Sequence, residues 1–261
     1  MVDNKSKNCT KVTELSYTMK RKFAGITHTG NVRSINQDSY YIDPEGKFFI
    51  VADGMGGHTG GLEASTIATE VIKTYLVNSW QDTIESTYLL KSAFIKANKA
   101  IIDDQQKSPE LSDMGTTVAV VIFREEKYWC ANIGDSRIYR LRDKTLTQIT
   151  EDQTWVAQAV RNNLITPEQA RTHPWRHVLS QCLGRKDMGQ IELLPLDVQP
   201  GDRLLLCSDG LTEELPDSII TQLLSSNKDS QTIAEELLDT AKDKGGRDNI
   251  TVLIVIVEVE K

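Results

Sequence analysis

The sequence predicts an α+β protein with one or two mainly antiparallel sheets and paired amphipathic helices. Three observations carry that expectation. Short apolar runs follow one another over residues 118–123, 128–133 and 137–141, separated by charged or glycine-containing turns. Two longer segments switch to helical spacing, one striped by Ala64, Ile67, Ala68, Val71, Ile72 and Tyr75, the other by Leu90, Phe94, Ala97 and Ile101. No repeat period, long linker or compositional break divides the 261 residues, so one domain is expected.

Residues 1–21 are rich in Lys, Asn, Ser and Thr and are expected to form a flexible tail ahead of a domain spanning 22–261. A strand begins near Arg21 and runs to His28, and a polar turn region from Gly30 to Ser39 leads into Tyr40-Tyr41-Ile42. Asp43-Pro44-Glu45-Gly46 has hairpin-turn chemistry. The run Phe48-Phe49-Ile50-Val51-Ala52 reads as a buried strand that ends in Asp53, and glycines crowd the next positions. A helix follows from Leu62, then a second over about 84–107 with Pro109 just beyond it. Gly115-Thr116-Thr117 opens the β-rich block, to which 146–149 adds a short strand.

Residues 151–188 interrupt this regularity. Asp152 is expected to cap a helix reaching about Asn162, and Thr166-Pro167-Glu168 to open another. So long a segment of short helices within a β block serves as a lid or recognition flap, or is a plain surface insertion. Strands return at 191–196 and 203–207 around the turn Pro200-Gly201-Asp202. Asp217 is expected to cap one helix, and Ile233, Leu237, Leu238 and Ala241 stripe another. The loop Gly245-Gly246-Arg247-Asp248-Asn249 precedes a last apolar strand over 250–259.

Thirty basic against 37 acidic residues give a net charge of −7, without a basic cluster, so nucleic acid is not an expected partner. Cys9, Cys130, Cys182 and Cys207 form no Cys-x-x-Cys pair, which disfavours zinc and a disulfide framework. The lysine-rich N-terminus has no apolar secretory core, and no stretch has the length of a membrane span. A cytoplasmic protein is expected.

The chemistry gathers on aspartates. Asp53 ends one apolar strand, Asp135 follows a second in Ile133-Gly134-Asp135-Ser136-Arg137, and Asp209 follows a third in Cys207-Ser208-Asp209-Gly210. Asp-Gly is also a common hairpin turn, but hairpins do not require the same residue after three buried strands. With Asp38 and Asp248, these hard oxygen donors lacking Cys or His partners suit Mg²⁺ or Mn²⁺. Carboxylates brought together resist ionising without a cation among them. Two bridged cations could hold an attacking hydroxide and clamp a phosphoryl group. Arg33, five residues before Asp38, could offer a phosphate two donors at once; as an exposed arginine it could equally make a surface ion pair.

Arg33…Asn36-Gln37-Asp38, Asp53-Gly54-Met55-Gly56-Gly57-His58, Met114-Gly115-Thr116-Thr117, Gly134-Asp135-Ser136-Arg137, Ser208-Asp209-Gly210-Leu211 and Arg247-Asp248-Asn249 follow one another in that order. Together they resemble the PP2C family of metal-dependent protein serine/threonine phosphatases in its bacterial form, over about 22–259. The resemblance implies a four-layer α-β-β-α sandwich of two antiparallel sheets flanked by helices, with the metals in a cleft at one end. It implies hydrolysis of phosphoserine and phosphothreonine by a metal-bridging hydroxide, phosphorylated proteins as partners, and a monomer. By the same resemblance Asp53 bridges two Mn²⁺ or Mg²⁺ ions and the Gly54 carbonyl binds one. Asp209 and Asp248 complete the second site, and Asp38 ligates directly or through water. Asp135 with Asp209 holds a weaker third ion, and Arg33 takes the substrate phosphate.

The chain departs from the pattern twice. Animal members have histidine directly after Asp-Gly; here that position is Met55, leaving His58 as the candidate proton donor or as a structural loop residue. Gln37 stands where some members have Glu, so the second metal leans on Asp38, Asp209 and Asp248. The alternatives to a phosphoprotein phosphatase are a catalytically weak relative that binds or senses phosphoproteins and a small-molecule phosphoesterase. Neither Asp-x-Asp-x-Thr nor Gly-x-x-x-x-Gly-Lys is present, against an aspartyl-phosphate phosphatase and an NTPase.

Overall fold

The computed structural model describes residues 19–57, 59–81, 83–124 and 127–260. The expected tail therefore lies outside the described residues as far as position 18, and His58 and Cys9 lie outside them too. In chain order the elements are β1 (Met19–His28), β2 (Asp38–Ile42), β3 (Phe48–Met55), α1 (Gly60–Asn78) and α2 (Ser86–Lys107). After a 3₁₀ turn, Pro109–Leu111, come β4 (Gly115–Thr116), β5 (Val118–Arg124), β6 (Lys127–Ile133), β7 (Arg137–Arg142) and β8 (Thr145–Gln148). The helices α3 (Trp155–Arg161) and α4 (Pro167–Thr172) precede β9 (Glu192–Leu196) and β10 (Arg203–Cys207). The chain continues through α5 (Asp209–Glu214), α6 (Asp217–Leu224), α7 (Ser230–Asp243) and β11 (Ile250–Val259).

The strands form two antiparallel sheets, one in the order β1-β11-β10-β7-β8 and one in the order β2-β3-β5-β6-β9, with β4 paired to β3. Their central strands are apolar at nearly every position because both faces are covered. The period-2 alternation of β3 shows how. Phe49 and Val51 pack between the sheets with Ala119, Val121, Leu204, Leu206 and Leu253. Phe48, Ile50 and Ala52 point the other way, onto Ile72, Leu76, Leu90 and Phe94 of α1 and α2. The second sheet repeats the arrangement, with Leu205, Cys207, Val252 and Ile254 against Ile220, Ile233, Leu237 and Ala241 of α6 and α7. The expected four-layer α-β-β-α sandwich is the observed fold. Cys130, Cys182 and Cys207 are buried free thiols, and no described helix is long and apolar enough to cross a membrane.

Four local expectations are corrected. β1 starts at Met19, ahead of the expected tail boundary, and its Arg21 donates to the Gly46 carbonyl (3.0 Å) and lies over the Phe123 ring. Asp152 does not cap α3. It accepts a bidentate pair of hydrogen bonds from Arg137 (2.8 and 2.6 Å), and Thr154 caps the helix by accepting from the Ala157 amide. Asp217 is the first residue of α6, after Pro216; its carboxylate still complements the positive helix terminus. α5, of six residues, was not expected at all. Thr166 does open α4, in a reciprocal capping box with Gln169.

Candidate metal centre

The expected aspartates converge at one end of the sandwich because of how the strands turn there. Asp38 and Asp53 are cross-strand partners at the paired ends of β2 and β3. Asp135 lies where the chain passes from β6 in one sheet to β7 in the other. Asp209 follows β10 as the first residue of α5, and Asp248 precedes β11, the antiparallel neighbour of β10. Arg33 stands on the rim, about half exposed, with Nη2 donating to Asp248 Oδ2 at 2.6 Å.

Asp38 is held with particular care. Buried Ser208 Oγ and Thr251 Oγ1 both donate to its Oδ2, at 2.7 and 2.6 Å. The Thr251 hydroxyl is itself tied to Thr27 Oγ1 (2.7 Å), which accepts from Asn36 Nδ2 (2.8 Å). Asp38 Oδ1 has no hydrogen-bond partner among the described residues. A buried carboxylate oxygen left over while its twin is doubly bonded is what a cation ligand looks like.

Asp53 is fixed through its backbone. Its carbonyl accepts from the Thr117 amide (2.9 Å) and the Thr116 hydroxyl (2.8 Å), and its amide donates to Thr117 Oγ1. The approach of β3 to α1 explains one glycine: a Cβ on Gly54 would lie 1.9 Å from the Gly61 carbonyl oxygen. The approach of α5 to the last loop explains another, since a Cβ on Gly210 would lie 2.0 Å from the Asn249 carbonyl oxygen. That loop is clamped to α5 by Arg247, whose amide and Nε donate to Glu214 Oε1 at 3.0 and 2.8 Å. Asn249 stitches it to the Arg33 loop by donating to the Thr29 and Ile35 carbonyls and accepting from the Gln37 amide.

The electrostatics follow from packing carboxyls together in a low-dielectric cleft. Asp38 is raised to about 7, chiefly by burial; the two donated hydroxyl bonds oppose the rise, and Asp209 and Asp248 add to it. Asp53 is held well above the carboxylate range by burial and then by Asp38, and Asp135 by burial and then by Asp209. Asp209 is raised by burial and by Asp248, and its carboxyl shares a hydrogen bond with that of Asp53. Such a set keeps protons only until a cation replaces them. All donors are oxygen, which suits Mn²⁺ or Mg²⁺. The residues fit a metal pair.

Several functional neighbours escaped the sequence reading. Ser208 and Thr251 bond Asp38 across 170 and 213 positions of the chain. Glu213 lies one helical turn after Asp209, and its Oε1 is 2.7 Å from His177 Nδ1, which arrives from the 151–188 segment. Ligand atoms of His177, Asp209 and Glu213 all lie within 4.8 Å of one another. Burial, and then Asp209, push Glu213 up to about 7, while burial pushes the His177 imidazole down. Recognising α5 would have put Asp209 and Glu213 on one face at i and i+4.

Comparison with known proteins agrees with the geometry. Residues 25–252 match the family model described as protein phosphatase 2C. The serine/threonine phosphatase stp of Listeria welshimeri is 34% identical over 238 residues, covering 88% of this chain and 93% of that one. The crystal structure of the Mycobacterium tuberculosis serine/threonine phosphatase PstP/Ppp superposes with a TM-score of 0.83 at 35% identity, over 91% of this chain and 99% of that one. The structure of the PstP catalytic domain in complex with two manganese ions gives a TM-score of 0.82 at 33% identity, over 92% and 100%. With its six motifs in order, its four-layer fold and its carboxylate cleft, the chain belongs to the protein phosphatase 2C family of metal-dependent serine/threonine phosphatases.

Proposed function

We propose that the enzyme hydrolyses phosphoserine and phosphothreonine in proteins, with Asp38, Asp53, the Gly54 carbonyl, Asp209 and Asp248 holding two Mn²⁺ or Mg²⁺ ions. Asp135 with Asp209 serves a weaker third. When bound, such a cation pair makes water nucleophilic at neutral pH and neutralises phosphoryl oxygens. The observation that carries this reading is the orphaned, buried Oδ1 of Asp38 beside a Ser208–Thr251 pair that occupies Oδ2. Those hydroxyls aim the carboxylate and keep it from turning away. The Gly54 and Gly210 contacts hold the ends of β3 and α5 close enough for their aspartates to share one cleft.

Arg33 is the phosphate clamp. Its side chain is about half exposed, so its Asp248 contact can be exchanged for two phosphate oxygens. His58 donates a proton to the leaving oxygen. The 151–188 segment is a recognition flap, supported by its His177 contact to α5 beside Asp209. The same reading makes the enzyme a cytoplasmic monomer that acts on phosphoproteins and not on nucleic acid or a membrane surface.

The test is hydrolysis of a phosphothreonine peptide and of an aryl phosphate with Mn²⁺ and with EDTA. Both substrates should turn over, and only with metal. Full activity in EDTA would remove the metal mechanism. Turnover of aryl phosphate alone would make the enzyme a small-molecule phosphoesterase, and metal binding without turnover a binding module.

A further inference from the structure

A groove of about 1300 Å³ runs from Asp209 between the α3–α4 pair and the junction of α5 with α6. Val156 and Ala170 line one wall, and Leu215 and Pro216 the other. Small-ligand sites span about 300–1,000 Å³, so an extended chain whose phosphorylated side chain reaches the metal centre has room to continue along this groove.

The arginines of the groove sort into two kinds. Arg137 is neutralised by Asp152, Arg161 by Glu151 at 2.6 Å, and Arg247 by Glu214 at 2.8 Å. Arg171 and Arg176 also line it, are exposed, and make no ion pair or side-chain hydrogen bond among the described residues. Glu168 lies one turn before Arg171 and feels its charge without a close ion pair, and Asp217 sits in the first turn of α6. Glu213 contacts His177 and also feels the charge of Arg176 without a close ion pair to it, and Asp135 and Asp209 belong to the metal centre. Among the described residues of the groove, Arg171 and Arg176 are the arginines without a close ion pair, which leaves their guanidinium groups available to a ligand.

Arg176 is also held in place. Its neighbour Trp175 packs edge-on against Trp155 (centroids 4.9 Å apart), and Trp155 stacks on His173 at 4.9 Å. Its other neighbour, His177, is fastened to Glu213. Arg171 projects from α4, whose start is fixed by the Thr166–Gln169 capping box. Two cations on braced backbone beside a catalytic cleft differ from arginines on a mobile surface, because less order must be imposed when an anion arrives.

We propose that this groove receives the residues flanking the phosphorylated side chain and selects acidic ones, with Arg171 and Arg176 as the pair that reads them. The inference rests on the phosphoprotein reading above. The test compares kcat/KM for two phosphothreonine peptides, one flanked by Asp and Glu and one by Asn and Gln, and for an aryl phosphate. Wild-type enzyme should prefer the acidic peptide by about three- to tenfold, the range that two exposed ion pairs produce, and the preference should shrink with salt. R171Q/R176Q should equalise the two peptides and leave aryl phosphate unchanged. R171K/R176K should keep most of the preference. R171E/R176E should favour a peptide flanked by Lys. An acidic preference that survives in R171Q/R176Q, or one absent from the wild type, overturns the proposal. Failure on every phosphopeptide with aryl phosphate still hydrolysed overturns the phosphoprotein reading instead.

Discussion

Thr251→Val replaces a buried hydroxyl by a methyl of nearly the same volume, so the strand pairing of β11 with β1 survives it. What is lost is the 2.6 Å donation to Asp38 Oδ2 and the acceptor for Thr27. A hydrogen bond to a charged group contributes about 1.5–3 kcal/mol. At about 1.4 kcal/mol per tenfold, that converts to roughly 10- to 150-fold in the affinity of whatever the carboxylate binds. Ser208 still holds Oδ2 at 2.7 Å, and other carboxylates share the cation. The expected weakening is therefore in the lower part of that range, about 10- to 50-fold, in keeping with partners that orient metal ligands. The assay is a calorimetric Mn²⁺ titration, run beside turnover as a function of Mn²⁺ and a thermal melt. Half-saturation should rise, turnover at saturating metal should largely recover, and melting of the loaded protein should change little. A folded variant whose Mn²⁺ half-saturation stays within about twofold of wild type would refute the orienting role.

Three further outcomes are expected. In the metal-free protein Asp38 is raised from 3.8 to about 7, and Asp53 and Asp135 are raised with it. The folded state thus binds these protons more tightly than the unfolded one, and their stabilisation, complete below the ordinary carboxylate value, is lost as pH rises toward and through about 7. The EDTA-treated protein should melt lower at higher pH across that window, and Mn²⁺ should raise its melting temperature most at the alkaline end; the opposite slope counts against the proton-holding cluster. Arg33→Ala should raise KM for phosphopeptide and aryl phosphate alike, by roughly 1.5–3 kcal/mol in kcat/KM, and Arg33→Lys should restore little because an ammonium lacks the fork; an effect confined to peptides would move Arg33 out of the phosphate clamp. Gly210→Ala forces a methyl to 2.0 Å from the Asn249 carbonyl, so Asp209 and Asp248 must separate; Mn²⁺ binding should fall and the melt should drop, and a variant with wild-type values for both would show that the approach is not needed.

The layers were legible because burial on both faces leaves a simple mark. β3, β5 and β11 are apolar at successive positions, and the helices carry stripes that end at Pro109 or at glycines. The clustering of the aspartates was legible for a related reason: a carboxylate at or just past the end of a buried strand, as at Asp53, Asp135 and Asp209, is out of character with its neighbours. What stayed hidden depends on tertiary pairing. Ser208 and Thr251 look like ordinary strand-end residues until β10 and β11 are set beside β2. α5 is too short for a periodic signal, so Glu213 had no face to belong to. Asp152 had the right chemistry for a helix cap, but Arg137 offers its carboxylate two bonds where an N-cap offers one.

The neighbour of β1 in its sheet is β11, with Met19 opposite Val259 and His28 opposite Ile250. Asp248 stands two residues before that closing strand. During translation, the first described strand therefore waits, its edge unpaired, until the last one leaves the ribosome. A nascent chain stopped before Asp248 lacks one of the clustered carboxylates, the Asn249 stitch to the Arg33 loop, and the partner of β10 as well. Closure of the sheet and assembly of the cleft are the same late event. A fragment growing from the N-terminus therefore has neither the closed sheet nor the full set of clustered aspartates until residues 248–259 are made.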